Sequence, residues 1–120
     1  MNRNVTLIHP DKSVRYAGQI LKAVDIGCLV VVDREKISGI LTERDIVQKV
    51  VSNGLDINNT CVRDIMSDNV ITMDRKKTVE EAVDLMEKRG IKKIPIVENG
   101  KLIGIVTMTD LLAFLRKIEK

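Results

Sequence analysis

Gly39-Ile40-Leu41-Thr42-Glu43-Arg44-Asp45 returns 65 residues later as Gly104-Ile105-Val106-Thr107-Met108-Thr109-Asp110. The same ungapped offset relates Val5 to Val70, Ala17 to Ala82 and Val32 to Val97. Because the matches fall at apolar positions typical of a core, they indicate two copies of one structural unit, at about 5–53 and 70–118. A half of this size would be marginally stable alone. We therefore expect one pseudo-two-fold domain in which each half buries its apolar face on the other.

Each half is predicted to fold as strand, helix, strand, strand, helix, which is an α/β (α+β) arrangement. Apolar residues at helical spacing indicate a first helix at 14–24 and again at 79–86, and closing helices are expected at about 43–53 and 108–119. Short apolar runs predict strands at 28–32, 37–41, 94–97 and 102–106, after leading strands near 5–8 and 70–73. Asn99-Gly100 predicts a tight hairpin in the second half, whereas Asp33-Arg34-Glu35-Lys36 predicts a looser turn in the first.

The composition excludes several classes of function. The chain has 120 residues, a net charge of +3 and 2% aromatic residues, too few for a surface that stacks single-stranded nucleic acid. The longest apolar run, 26–32, is too short to span a bilayer, and no hydrophobic signal core follows the first residues. We therefore expect a cytoplasmic protein that does not enter a membrane.

Catalytic and metal-ligating residues are scarce. The chain has one histidine, His9, and two widely separated cysteines, Cys28 and Cys61, without the spacing of a zinc site. Neither a phosphate-binding loop of the Walker type nor a dinucleotide-binding glycine fingerprint occurs. We expect no enzymatic activity, no metal site and no required cofactor.

The repeated motif G-h-h-T-x-x-D has two interpretations. In the structural one, Thr42 and Thr107 cap helices, and Asp45 and Asp110 lie near the positive end of the helix dipole. In the functional one, the glycine admits a ligand close to the backbone and the carboxylate accepts hydrogen bonds from a ribose. Arg44 then offers a guanidinium for a phosphate. The residues alone leave both interpretations open.

The sequence resembles a tandem pair of cystathionine-β-synthase (CBS) domains, also called a Bateman module. Val62-Arg63-Asp64-Ile65-Met66 is similar to the V-x-D-I-M start of a CBS repeat, and Gly90–Val97 (GIKKIPIV) is similar to the family's G-I-R-H-L-P-V-V stretch. The closing G-h-h-T-x-x-D ends both copies. The resemblance divides the chain into a first repeat at 1–56 and a second at 57–120, which includes its lead-in. The first copy lacks the V-x-D-I-M start and has Val30 where the second has Pro95.

This resemblance implies a module that binds AMP, ADP, ATP or S-adenosylmethionine in clefts between the two repeats. One implied site comprises Thr72, Lys93, Ile94, Pro95, Gly104, Thr107 and Asp110. The other comprises Leu29, Gly39, Thr42, Arg44 and Asp45. The threonine and aspartate would hold the ribose, the stretch at 93–95 would line the base, and basic residues would meet phosphate. For Leu29 and Ile94, packing in the core is the alternative role.

We expect a regulatory ligand sensor that acts on a separate effector protein. The closing helix has more apolar residues than one contact needs, and CBS modules commonly pair, so a homodimer is expected. The residues concerned are Leu111, Leu112, Phe114, Leu115 and Ile118. A structural dimerisation module with vestigial clefts is an alternative, and a nucleic-acid-binding protein, suggested by the net positive charge, is another.

Overall fold

The computed structural model describes residues 5–119, and side chains up to residue 117. The described chain forms two compact units, one of residues 6–70 and one that contains residues 71–119. The first unit has strands β1 (Leu7–Ile8), β2 (Cys28–Asp33) and β3 (Lys36–Thr42), and helices α1 (Val14–Val24), α2 (Glu43–Asp45, continued as a π-helix) and α3 (Val62–Ile65). The second has strands β4 (Met73–Asp74), β5 (Lys93–Glu98) and β6 (Lys101–Thr107), and helices α4 (Val79–Arg89) and α5 (Met108–Glu119).

Each unit contains one three-stranded sheet of the same topology. The orders are β1-β2-β3 and β4-β5-β6, in which the first pair is parallel and the second is an antiparallel hairpin. The predicted order of elements within each half is therefore confirmed. The leading strands β1 and β4 are two residues long, shorter than the sequence pattern suggested.

The first helix of each unit begins at a side-chain cap and ends in a left-handed residue. The hydroxyl oxygens of Ser13 and Thr78 accept hydrogen bonds from the amides of Tyr16 and Glu81, which satisfies one exposed donor at each helix start. Asp25 and Gly90 end the two helices with φ of 55° and 63°. Caps at both ends thus fix α1 at the predicted bounds, whereas α4 extends three residues beyond the predicted 79–86, to Arg89.

The closing helix of the first unit departs from α-helical geometry. The predicted helix at 43–53 begins as an α-helical turn, Glu43–Asp45, and continues as π-helix over Ile46–Val51. It ends before Gly54, which has a φ of +63°. In the second unit α5 is α-helical over its whole length, as predicted.

The first hairpin turn is tighter than its sequence indicated. β2 and β3 are joined by Arg34 and Glu35 alone, with φ of 51° and 68°. Asn99 and Gly100 adopt the same left-handed pair of conformations in the second unit, at 53° and 79°. Both hairpins therefore have the two-residue geometry that matches strand twist, although only the second uses the residues that favour it.

Each unit has its own hydrophobic core beneath its sheet. In the first, side chains of α1, β2 and β3 pack with Val50 and with two residues of α3, Val62 and Ile65. In the second, the core is formed by Met73, Ala82, Met86, Ile94, Ile96, Val106 and Leu111. No helix within residues 5–119 combines the length and the apolar character needed to cross a bilayer.

Candidate functional site

Most of the predicted site residues lie at one edge of each unit. β4 runs parallel to β5, with Met73 opposite Ile96, and β6 returns antiparallel, so the residue before β4, the first residues of β5 and the end of β6 lie toward one edge. Lys93 pairs directly with Thr107 across the hairpin, and Asp110 follows in the first turn of α5. Thr72 immediately precedes β4, and Ile94 and Pro95 follow Lys93. The topology thus brings six of the seven predicted residues of the second repeat to one edge, and Gly104 lies further along β6.

The first repeat has the same arrangement. Leu29 is the second residue of β2, Thr42 ends β3, and Arg44 and Asp45 lie in the first turn of α2. Arg44 is exposed. Gly39 lies in the middle of β3, opposite Val31.

In the first repeat the carboxylate of Asp45 is engaged within its own unit. The amide and hydroxyl of Thr42 both donate to Asp45 Oδ2, at 2.9 and 3.0 Å, and Lys49 Nζ lies 3.2 Å from Oδ1. Lys49 also donates to the carbonyl oxygen of Ile65 at 2.9 Å. The Asp45 side chain is only 16% exposed. Thr42 and Asp45 thus form a complete capping box, and the second carboxylate oxygen of Asp45, Oδ1, is paired with Lys49.

In the second repeat the aspartate carboxylate of the same motif is not engaged by the described residues of its own unit. The amide of Asp110 donates to Thr107 Oγ1 at 3.1 Å, so the threonine cap is present. The Asp110 side chain is exposed, and within residues 5–119 its carboxylate forms no hydrogen bond or ion pair. Phe114 takes the position that Lys49 has in the first repeat, and it supplies no cation. Of the two aspartates, Asp110 has the carboxylate that is available to a ligand.

The three apolar residues of the predicted sites are core residues. Leu29 and Ile94 are completely buried, and Pro95 is among the most deeply buried side chains. Any contact that they make with a ligand must therefore use backbone groups. Lys93 and Thr72 are exposed on the same edge.

The predicted close approach at Gly39 is made by the chain itself. A Cβ atom at this position would lie 2.6 Å from the carbonyl oxygen of Ser67 and 2.8 Å from Met66 Sδ. Ile40 and Ser67 exchange backbone hydrogen bonds of 2.9 Å in both directions. The missing side chain thus allows the segment after α3 to pair with β3.

A cavity of about 380 Å³ lies in the second unit, between β4, the start of α4 and the start of α5. Of the predicted site residues only Asp110 lines it. The other lining residues were not identified from the sequence: Met73, Asp74, Arg75, Lys77, Thr78, Val79, Ala82, Ile96, Val106, Leu111 and Phe114. Sequence reasoning also missed Lys49, although its position four residues after Asp45 was a signal for an ion pair on a helix.

Comparison with known proteins identifies the family. The CBS domain family matches residues 1–52 and 62–117. An uncharacterized protein of Methanopyrus kandleri is 53% identical over 89 residues, which cover 72% of this chain and 45% of that protein. Hypoxic response protein 1 of Mycobacterium tuberculosis is 31% identical, over 92% of this chain and 78% of its own length. The chain thus spans less than half of the first of these relatives.

A solved structure shows the same fold over the whole chain. The hexameric CBS-CP12 protein from bloom-forming cyanobacteria superposes with a TM-score of 0.85 at 29% identity. The superposition covers 100% of this chain and 71% of that protein.

Proposed function

Because the chain belongs to the CBS domain family as a tandem pair of repeats, we propose that it is a non-catalytic regulatory module that binds an adenosine-containing ligand. The proposed ligands are AMP, ADP, ATP and S-adenosylmethionine. The observation that carries the proposal is the open carboxylate of Asp110 beside the capped Thr107, on the edge where Lys93 also lies.

Each group at this edge has a part in the proposed binding. A carboxylate accepts two hydrogen bonds from the vicinal hydroxyls of a ribose, which is the role proposed for Asp110. Thr107 fixes the first turn of α5 and so the position of that carboxylate. The exposed Lys93 and Thr72 are proposed to meet polar groups of the same ligand, and the backbone at Ile94 and Pro95 is proposed to line the base.

The second repeat is proposed as the principal binding site. A ligand at the first repeat competes with Lys49 and Thr42 for the Asp45 carboxylate, and it must displace an ion pair to bind as at Asp110. A ligand at the second repeat displaces no such contact within the described chain. The expected stoichiometry is one tightly bound adenosine ligand per chain.

The test is a thermal-shift panel followed by calorimetric titration. The panel contains AMP, ADP, ATP, S-adenosylmethionine, GTP, IMP and short nucleic acids. A ligand at a hundred times its Kd adds roughly 2.7 kcal/mol to the free energy of unfolding, a shift on the order of 10 °C for a domain of this size. A shift confined to the adenine compounds supports the proposal, and a flat panel contradicts it.

Matched variants then locate the site. Asp110→Asn keeps the shape of the side chain and removes its charge, and we expect it to abolish binding of the selected ligand. Asp45→Asn is the control at the corresponding position, and we expect it to leave the titrated stoichiometry at one. Loss of binding in the Asp45 variant alone would assign the ligand to the first repeat instead.

The second proposed property is self-association through the closing helix. Leu112, Phe114 and Leu115 of α5 remain 49%, 47% and 37% exposed, more apolar surface than a solvated helix face requires. The similar CBS-CP12 protein is hexameric. We expect a homodimer whose response to ligand is passed to a separate effector protein, and sedimentation that shows a monomer at tens of micromolar would contradict it.

A structural dimerisation module is the second candidate function. The engagement of the Asp45 carboxylate by Lys49 favours it, because one of the two motifs is already complete without a ligand. A dimer in sedimentation together with a flat thermal-shift panel would select this function.

A further inference from the structure

A groove in the first unit is filled by the short helix α3. Val62 and Ile65 of α3 are 0% and 2% exposed, and both pack in the core of that unit. The amides of Val62 and Arg63 donate to the carbonyl oxygens of Lys12 and Pro10, at 2.8 and 3.0 Å. In return, the amide of Val14 donates to the carbonyl oxygen of Thr60 at 2.8 Å. The loop before α1 thus holds α3 by its backbone, and the core beneath holds it by two aliphatic side chains.

The cavity of the second unit is the counterpart of this groove. At the 65-residue offset, Pro10, Lys12 and Val14 correspond to Arg75, Lys77 and Val79. All three of these residues of the second unit line the cavity. Four residues of the core in which α3 packs likewise correspond to cavity residues. Ile8, Ala17, Val31 and Leu41 correspond to Met73, Ala82, Ile96 and Val106. Within the described part of the second unit, no segment takes the place of α3.

The charge at one rim position of the cavity is opposite to that at the same position of the filled groove. In the first unit Asp11 forms an ion pair with Arg63 of α3. The counterpart of Asp11 is Lys76, which lies between Arg75 and Lys77. Arg75 and Lys77 are paired with Glu98 and Glu81, so the exchange that matters is at Lys76. A helix that occupies the second groove meets Lys76 where α3 meets a carboxylate, and an acidic residue in the place of Arg63 is therefore favoured.

We propose that this cavity is a docking site for a short amphipathic helix of another protein. The helix has two aliphatic residues three positions apart, as Val62 and Ile65 are, and a carboxylate directly after the first. The α3 helix of a second copy fits poorly, because it is buried in its own unit and because Arg63 would face Lys76. The proposed docking site adjoins the proposed nucleotide site, because Asp110 lines the cavity, but none of the other lining residues is among those proposed to hold the nucleotide.

The test uses a synthetic peptide with the sequence of residues 58–69 and the changes Cys61→Ser and Arg63→Glu. The full-length protein, labelled in its methyl groups, is titrated with up to about 1 mM peptide, where a Kd at the weak end of the affinity scale is still detected. We expect saturable shifts in the methyl signals of Met73, Ala82 and Val106. The control peptide, with Val62→Asp in addition, is expected to cause none. Absent shifts, or shifts equal for both peptides, would overturn the proposal.

A charge exchange tests the rim. A surface ion pair changes affinity by a small factor, so the peptide with Arg63→Glu is expected to bind the unmodified protein about three- to fivefold more tightly than a peptide that keeps Arg63. Lys76→Glu on the protein should reverse that preference; its side chain is exposed and lies outside the cavity wall. If the peptide that keeps Arg63 binds better to the unmodified protein and dissociates it in sedimentation, the occupant is a second copy, and the proposal is refuted.

Discussion

The two motif aspartates are predicted to differ in their contribution to stability, although they occupy equivalent positions in the repeat. Asp45→Ala removes a carboxylate that is 16% exposed and that accepts two hydrogen bonds from Thr42. It also removes the partner of Lys49. Asp110→Ala removes an exposed carboxylate that forms no hydrogen bond or ion pair within the described residues, and it leaves the hydrogen bond of the Asp110 amide in place. The first substitution should destabilise the protein and the second should scarcely do so.

The magnitudes follow from these contacts. Hydrogen bonds to a charged group contribute roughly 1.5–3 kcal/mol, and the two at Asp45 share one donor residue, so a value near the lower limit applies. The pair with Lys49 adds about 0.3–0.5 kcal/mol, because Lys49 is 44% exposed and the pair is of the i,i+4 type. Asp45→Ala should therefore lower the free energy of unfolding by about 2 kcal/mol. Asp110→Ala loses only an interaction with the helix dipole, about 0.5 kcal/mol.

Urea denaturation followed by circular dichroism measures both values. The difference of about 1.5 kcal/mol between the variants exceeds the usual error of extrapolation to water for a small domain. Lys49→Met in the Asp45→Ala background is the control, and its further loss should be limited to the hydrogen bond from Lys49 to the carbonyl oxygen of Ile65, because the partner carboxylate is already absent. Equal destabilisation by the two alanine substitutions would refute the conclusion that only the first motif is closed.

Three further predictions concern the local structure. Gly39→Ala should lower the free energy of unfolding by about 2 kcal/mol, since its Cβ would lie 2.6 Å from a backbone carbonyl oxygen. Gly18→Ala in α1 is the control. Its Cβ meets nothing within 4 Å, and the substitution should raise the free energy of unfolding by about 0.5–1 kcal/mol. Glu35→Gly should raise it by about 1 kcal/mol in urea denaturation, because the residue has a φ of 68°. The pKa of Asp56 is lowered from its ordinary value of 3.8, first by the hydrogen bond from the Asn58 amide. Its contribution is therefore present above the unfolded pKa and lost as the pH falls, so Asp56→Asn should lose less stability than the unmodified protein between about pH 5 and pH 3 in denaturation titrations. An unchanged pH profile in that variant would contradict the assignment.

The secondary structure could be predicted because the same sequence pattern occurs in both halves of the chain. The apolar spacing of the first helices and the apolar runs of the strands agree at a fixed offset, so an ambiguous segment in one half is resolved by its counterpart. The tight first turn was missed because Arg34 and Glu35 lack the preference for left-handed backbone that Asn99 and Gly100 have. Tertiary pairing of β2 with β3 imposed the geometry that the local sequence does not favour.

The position of the candidate site could be predicted from the sequence, but whether its carboxylate is free to bind a ligand could not. A motif match places a threonine and an aspartate at a helix start, and the structure has both at that place in each repeat. Whether the carboxylate is free depends on a residue four positions downstream, Lys49 or Phe114, and on the carbonyl of Ile65 that holds the lysine. That contact lies outside the motif, and only the folded unit shows it.

The α3 groove and the cavity also share their core residues and differ in the residues around them. Seven core and loop positions correspond between the α3 groove and the cavity, yet one groove is filled and the described residues leave the other open. A duplicated unit keeps its internal packing because both copies need it to fold. Positions that face the occupant have no such common constraint, and there Asp11 corresponds to Lys76 and Lys49 to Phe114. At these positions the first repeat contacts α3 of its own unit, and the second repeat is proposed to meet a different occupant.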